Sequence, residues 1–160
     1  MFARLPRIKR GDWAPGLQPD LSLVAMWALI LEIVVRGVDY AGGDRPDVTT
    51  NLTVVEQAFP LQVWGLLCLI AGFTFAFGVA TQKFGAVIAG SLLATGVYGA
   101  LAFGLFLRMV ERGWPWDGFR TPLMFTVVAL LFALYSFSGY LKLTAHRASR
   151  HMSVDDEGVV

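Results

Sequence analysis

Glu32 and Arg36 are the residues of this chain whose types and spacing could do chemistry inside an apolar segment. Glu32 is the one carboxylate well inside a long apolar run, and Arg36 follows it by four residues, so both lie on one face of a helix. A charged side chain within a bilayer costs roughly 3 kcal/mol on insertion scales, so its presence requires a reason. The pair is therefore either a polar group that lines a pore or a proton site, or a self-paired Glu and Arg that holds the helix in register.

Four apolar segments must position this pair, at residues 21–38, 60–81, 84–107 and 122–143. Each is close to the ~20 residues that a helix needs to cross ~30 Å of hydrocarbon. Hydrophobic residues make up 56% of the 160 residues and charged residues 16%, as is typical of membrane proteins. The runs lack the alternation of barrel strands. The sequence therefore predicts an all-α integral membrane bundle of four transmembrane helices at residues 21–143, with a basic arm at 1–20 and a tail at 144–160.

Lysine and arginine are distributed unequally when the segments between the spans are sorted alternately to two sides. Eight fall on one side, and four or five fall on the other, depending on Arg36. The first group is Arg4, Arg7, Lys9, Arg10, Lys83, Lys142, Arg147 and Arg150; the second is Arg45, Arg108, Arg112 and Arg120. Because basic loops stay inside, this predicts that both termini are cytoplasmic and that the protein is integral to the cytoplasmic (inner) membrane.

The predicted outer boundary carries two further signals. Thr53 and Glu56 have capping-box spacing, so residues 54–59 are expected to form a short interfacial helix before Pro60 opens the second span. Tryptophan prefers the headgroup layer, and three tryptophans at this boundary are therefore expected to be interfacial anchors: Trp64, Trp114 and Trp116.

Small residues recur at four-residue spacing on the second and third spans. The rows are Gly72, Ala76 and Ala80; then Ala86, Gly90 and Ala94; then Gly96, Ala100 and Gly104. Such rows let helix backbones approach closely, either within one chain or between copies, so they are expected to be helix-packing surfaces of a bundle or of a homo-oligomer. Phe73, Phe75 and Phe77 are spaced two apart and spread around a helix, which predicts lipid-facing bulk.

Several classes of function find no support in the sequence. The net charge of +1 argues against nucleic acid as a partner. The single cysteine, Cys68, lies in an apolar run and is expected to pack as a small hydrophobe. His146 and His151 are five residues apart, which does not put two imidazoles on one helix face, so no metal or other cofactor is expected. No catalytic motif is present, and we expect a protein that is not an enzyme.

One external stretch carries a resemblance to a known group. The run from Leu52 to Glu56 (LTVVE) leads into Pro60 to Gly65 (PLQVWG). Together with the basic arm, four spans and basic tail, it resembles small membrane proteins of tailed phages that infect high-GC Gram-positive bacteria, which are called holins. The resemblance implies a non-enzymatic protein that associates in the membrane and forms lesions during host lysis. It implies no catalytic residue, because holins share no signature.

Two other functions remain open at this point. An accessory or scaffolding subunit of a larger membrane complex would use its external loops to bind a partner. A small transporter is the second alternative, although neither broken helices nor inverted repeats are visible.

Overall fold

The computed structural model describes residues 19–42, 59–111 and 118–157, with side chains described as far as His146. These residues form four helices: α1 (Pro19–Ala41), α2 (Leu61–Ala80), α3 (Phe84–Glu111) and α4 (Arg120–Glu157). The described part of the chain contains no strand. All four helices are long and apolar enough to cross a membrane, which confirms the prediction of an all-helical chain with four membrane-length helices. Within the described side chains the apolar part of α4 covers Arg120–His146, and the helix itself extends to Glu157.

The turn between α2 and α3 is a Schellman motif. The N–H of Lys83 donates to the carbonyl of Gly78 at 3.0 Å, and the N–H of Gln82 donates to the carbonyl of Val79 at 3.4 Å. Gln82 takes the left-handed conformation, with φ of +56°, at the position where glycine is usual. The carbonyl of Lys83 then accepts from Ala86 and Val87 as α3 begins. This short turn makes α2 and α3 antiparallel neighbours.

Close packing joins helices that are consecutive in the chain. Contact is extensive between α1 and α2, between α2 and α3, and between α3 and α4, whereas other helix pairs have little backbone contact. The core runs through all four helices and includes fully buried Ile33, Cys68, Phe75, Tyr98 and Phe132. Cys68 is thus a small core residue, as predicted.

Glycines bring the backbones together at these contacts. A Cβ at Gly65 would lie 2.4 Å from the backbone nitrogen of Ala41, so α2 touches the end of α1 at this residue. Gly78 of α2 lies against α3 in the same way, since a Cβ at Gly78 would lie 2.4 Å from the backbone nitrogen of Val87. Gly90 of α3 lies against α2, since a Cβ there would lie 2.4 Å from the backbone nitrogen of Phe75. Backbones this close gain dispersion contacts that compensate for the absence of a hydrophobic drive in lipid.

The prediction that three phenylalanines of α2 face lipid is wrong for the middle one. Phe73 and Phe77 are 61% and 53% exposed, whereas Phe75 is fully buried. Its ring packs edge-on against Phe132 of α4, with the centroids 5.8 Å apart. Two residues correspond to about 200° around a helix, so the flanking residues must point away from the face that Phe75 occupies.

Several predictions fall outside the described residues. They concern nearly all of the basic arm, residues 54–58 of the interfacial helix, and Trp114 and Trp116. Within the described range, each predicted span lies inside or nearly inside a helix. Three helices are longer than predicted: α1 runs from Pro19 to Ala41, α3 continues past 107 to Glu111, and α4 runs from Arg120 to Glu157. The second helix, α2, is one residue shorter than predicted at each end.

Candidate functional site

Glu32 and Arg36 form an ion pair on α1. The Nε of Arg36 donates to Oε1 of Glu32 at 2.9 Å, and Nη2 donates to the same oxygen at 2.5 Å. The Nη1 of Arg36 donates to the hydroxyl of Tyr40 at 3.4 Å. The three residues are spaced by four, so one face of α1 carries a carboxylate, a guanidinium and a phenol in succession.

The second oxygen of the carboxylate is bound from another helix. The hydroxyl of Tyr98, on α3, donates to Oε2 of Glu32. Tyr98 is fully buried and lies at the midpoint of α3, so its contact fixes the depth of the carboxylate near the centre of the bundle. Both oxygens of Glu32 thus have a partner, and the hydrogen bond ties α1 to α3.

Aromatic rings surround the guanidinium. The Cζ of Arg36 lies 4.5 Å from the ring centroid of Phe125 on α4, 5.6 Å from that of Tyr98 and 5.9 Å from that of Tyr40. A cation at these distances from ring faces is attracted by the ring quadrupoles, and the attraction grows as water is excluded. Because α1 and α4 have little backbone contact, the approach of Arg36 to Phe125 is a specific link between them.

This arrangement neutralises the two charges but does not enclose them. The side chain of Arg36 is 20% exposed and that of Glu32 is 32% exposed. Within the chain the pair connects α1 to α3 through the hydrogen bond from Tyr98 to Glu32, and α1 to α4 through the contact of Arg36 with the ring of Phe125. The exposed part of the two side chains can meet water, a polar group or lipid. The geometry is therefore compatible with both interpretations of the pair, a structural link and a polar surface.

Sequence reasoning missed three partners of the pair. Tyr40 continues the same face of α1 at four-residue spacing, a signal that is present in the sequence. Tyr98 and Phe125 come from α3 and α4, and only the packing of those helices brings them to Glu32 and Arg36.

The structure places the rows of small residues on different surfaces. Gly72 contacts Ile33 and Val34 of α1, and a Cβ at Gly90 would lie 2.4 Å from the backbone nitrogen of Phe75. Ala94 is fully buried, Ala76 and Ala86 are half-buried, and Ala80 is exposed. The third row is divided between two surfaces: Gly96 and Ala100 are exposed, and a Cβ at Gly96 would have no described atom within 4 Å, whereas Gly104 is buried.

Trp64 lies in the first turn of α2 and is only 8% exposed. Its ring packs edge-on against Phe59, with the centroids 6.1 Å apart. The indole therefore contacts protein on most of its surface, and its predicted role as an interfacial anchor stays a prediction.

Among the side chains described in residues 20–42, 59–111 and 118–146, no three His, Cys, Asp or Glu come together in a group that could hold a metal ion. The strongest cluster of polar chemistry in this part of the chain is thus the one built around Glu32 and Arg36. No protein-family model, curated protein or solved structure matches the chain.

Proposed function

We propose that the chain is a non-enzymatic protein of the cytoplasmic membrane that associates with itself and, as holins do, opens lesions in the bilayer. The observation that carries this proposal is the partial exposure of the Glu32–Arg36 pair in the middle of an apolar bundle. The side chains of Glu32 and Arg36 are 32% and 20% exposed, respectively, although both lie on a helix that is apolar enough to span a membrane.

The exposed part of the pair makes an isolated chain unfavourable in lipid. Ion pairing and the hydrogen bond from Tyr98 reduce the cost of the charges, but the open side would face hydrocarbon. Water in a lesion, or a polar group of a second copy, would solvate that side. The pair therefore favours assembled or water-lined states over a single chain surrounded by lipid.

Two exposed small residues of α3, Gly96 and Ala100, support a second contact between copies. In the described part of the chain, no atom would lie within 4 Å of a Cβ at Gly96. Each of the two residues is two positions from Tyr98, about 200° around the helix, so both are turned away from the face that contacts Glu32. Two different surfaces on one chain permit head-to-tail association, which generates rings when the rotation closes. A ring of copies is the geometry that a membrane lesion requires.

The proposal includes a topology with both termini in the cytoplasm. Four spans would put the two ends on one side, and the excess of Lys and Arg in the arm, the α2–α3 turn and the tail favours the cytoplasm as that side. Fusing a reporter that is active only inside or only outside the cell to each end tests this. Reporters that act on opposite sides would overturn it.

Expression in bacteria with a dye that reports membrane potential tests the function. Above a threshold abundance we expect the potential and viability to collapse, and we expect the double variant Glu32→Gln with Arg36→Gln to change the threshold. Gly96→Leu should raise it by blocking close contact between copies. Gly85→Leu is the matched control, because Gly85 also lies on α3 with no atom within 4 Å of a Cβ.

Unchanged potential and viability at high membrane abundance would refute the lesion proposal. Purification in mild detergent provides a second criterion, in which self-association supports the proposal. A stoichiometric partner in place of self-association would identify an accessory subunit instead.

A further inference from the structure

A cavity of about 310 Å³ opens at the end of the bundle where α1 begins, α2 meets α3, and α4 leaves the apolar segment. It lies between α1 and α4, which have little backbone contact with each other. Its apolar walls include Met26, Val79 and Val87, and its polar lining groups include Gln82, Ser138 and Lys142.

The polar and apolar groups occupy different depths of this cavity. Tyr135, Ser138 and Lys142 line it from α4, and Lys142 lies seven residues beyond Tyr135, about 10 Å along the helix axis. Lys142 is exposed, so its ammonium lies at the mouth, while Met26 and Tyr135 are partly buried and pack against the core. The cavity thus has a cationic mouth and an apolar interior.

The charges around the mouth favour an anion. The described basic side chains at this end are Lys83, Lys142 and His146, and Asp20 in the first turn of α1 is the described carboxylate there. The ammonium of Lys83 lies 5.4 Å from the ring centroid of Phe77. Lys83 is not among the lining residues of the cavity, so Lys142 is the cation at its mouth.

We propose that this cavity binds one anionic phospholipid, with the phosphate at Lys142 and Gln82 and an acyl chain along Met26, Val79 and Val87. Basic side chains between membrane helices attract anionic headgroups, and the apolar walls replace the lipid environment of the chain. One turn of a helix of a second copy, about 10 Å across and about 5.4 Å long, occupies about 420 Å³, which exceeds the cavity volume of about 310 Å³, whereas an acyl chain is much narrower than a helix.

Native mass spectrometry of the purified full chain with added lipid tests the site. Phosphatidylglycerol and phosphatidylcholine with identical chains are compared for retention. We expect the wild type to retain one phosphatidylglycerol in preference to phosphatidylcholine. Lys142→Gln should reduce that preference about fivefold, the effect of one basic side chain beside an anionic headgroup. Lys83→Gln is the matched control and should leave the preference unchanged.

Two further measurements separate a lipid site from a site for free phosphate and from a general attraction of basic residues for anionic lipid. Ser138→Trp should fill the cavity and remove the retained lipid. Glycerol 3-phosphate, which has the anionic group without acyl chains, should not displace phosphatidylglycerol. The inference is overturned if the two lysine variants lose equal preference, if neither lipid is preferred, if Ser138→Trp retains the lipid, or if glycerol 3-phosphate competes. None of these results depends on whether the chain forms lesions.

Discussion

Gly90 and Gly96 of α3 provide a matched test of how the bundle is held together. A Cβ added at Gly90 would lie 2.4 Å from the backbone nitrogen and 2.7 Å from the Cα of Phe75 on α2. A Cβ added at Gly96 would meet no atom within 4 Å. The same substitution, glycine to alanine, therefore probes a close backbone contact at one position and open space at the other.

The expected magnitudes follow from these distances. Ordinary contact begins at about 3.4 Å, so in Gly90→Ala the facing backbone of α2 must retreat by about 1 Å from its position at 2.4 Å. Overpacking of this kind costs about 1–3 kcal/mol, and the better helix propensity of alanine returns up to about 1 kcal/mol. We expect Gly90→Ala to lower the free energy of unfolding by about 1–2 kcal/mol. Gly96→Ala keeps only the propensity gain and should be neutral or up to about 1 kcal/mol more stable.

Unfolding in detergent micelles with increasing dodecyl sulfate, followed by far-ultraviolet circular dichroism, measures both free energies. Since about 1.4 kcal/mol is a factor of ten in the unfolding equilibrium, the two variants should differ clearly. Equal stabilities would refute the close α2–α3 contact at Gly90. A loss of stability in Gly96→Ala as large as that in Gly90→Ala would refute the assignment of Gly96 to an open face.

Three further predictions concern the ion pair and the α2–α3 turn. Tyr98→Phe removes the hydrogen bond to Glu32 and should lower the free energy of unfolding by about 1 kcal/mol. A double-mutant cycle with Glu32→Gln checks this, and the prediction is contradicted if the stability losses of the two single variants simply add in the double variant. Arg36→Gln should reduce the yield of folded protein in the membrane more than Arg36→Gln combined with Glu32→Gln, because it leaves Glu32 without its counter-ion. The cost is smaller than the about 3–5 kcal/mol of a fully buried pair, since the Glu32 side chain is 32% exposed and keeps its hydrogen bond from Tyr98, and an equal yield would contradict the pairing. Gln82→Gly should raise the free energy of unfolding by about 1 kcal/mol, because glycine adopts a positive φ without a Cβ clash. A less stable variant would contradict the assignment of residue 82 to the left-handed position of the Schellman turn.

Local patterns predicted the helices because lipid imposes strict requirements on an apolar segment. A run of about 20 apolar residues must satisfy its own backbone hydrogen bonds, and the helix is the way to do so within one segment. Pro60 before α2 and the short link at Thr81 to Lys83 give two helix ends from chain chemistry alone. The tail has no glycine or proline between Leu143 and Gly158, so the sequence allows α4 to continue, as it does to Glu157, but marks no residue at which it should end.

The faces of the helices were less predictable than their existence. The residues of α2 are apolar on almost every side of the helix, so periodicity does not separate its core face from its lipid surface. Phe75 and Phe73 have the same chemistry, yet one is fully buried and the other is 61% exposed. Gly65 was missed as a contact residue because it lies outside the rows at four-residue spacing, although it meets the backbone of α1.

The candidate site was half predictable for a related reason. Glu32 and Arg36 belong to one helix, so their spacing determines their contact. Tyr98 lies 66 residues beyond Glu32, and its contact depends on how α3 is rotated against α1. A rotation of this kind is set by the packing of whole helices, which no local sequence pattern encodes.

The restriction of close packing to successive helices has a consequence for biogenesis. Each helix can meet its main neighbour as soon as both have entered the bilayer, without waiting for a segment made much later. Synthesis and assembly can then proceed in the same order, beginning with α1 and α2. The docking of Phe125 over the guanidinium of Arg36 would be a late event, completed only when the last helix has left the ribosome and the translocation machinery.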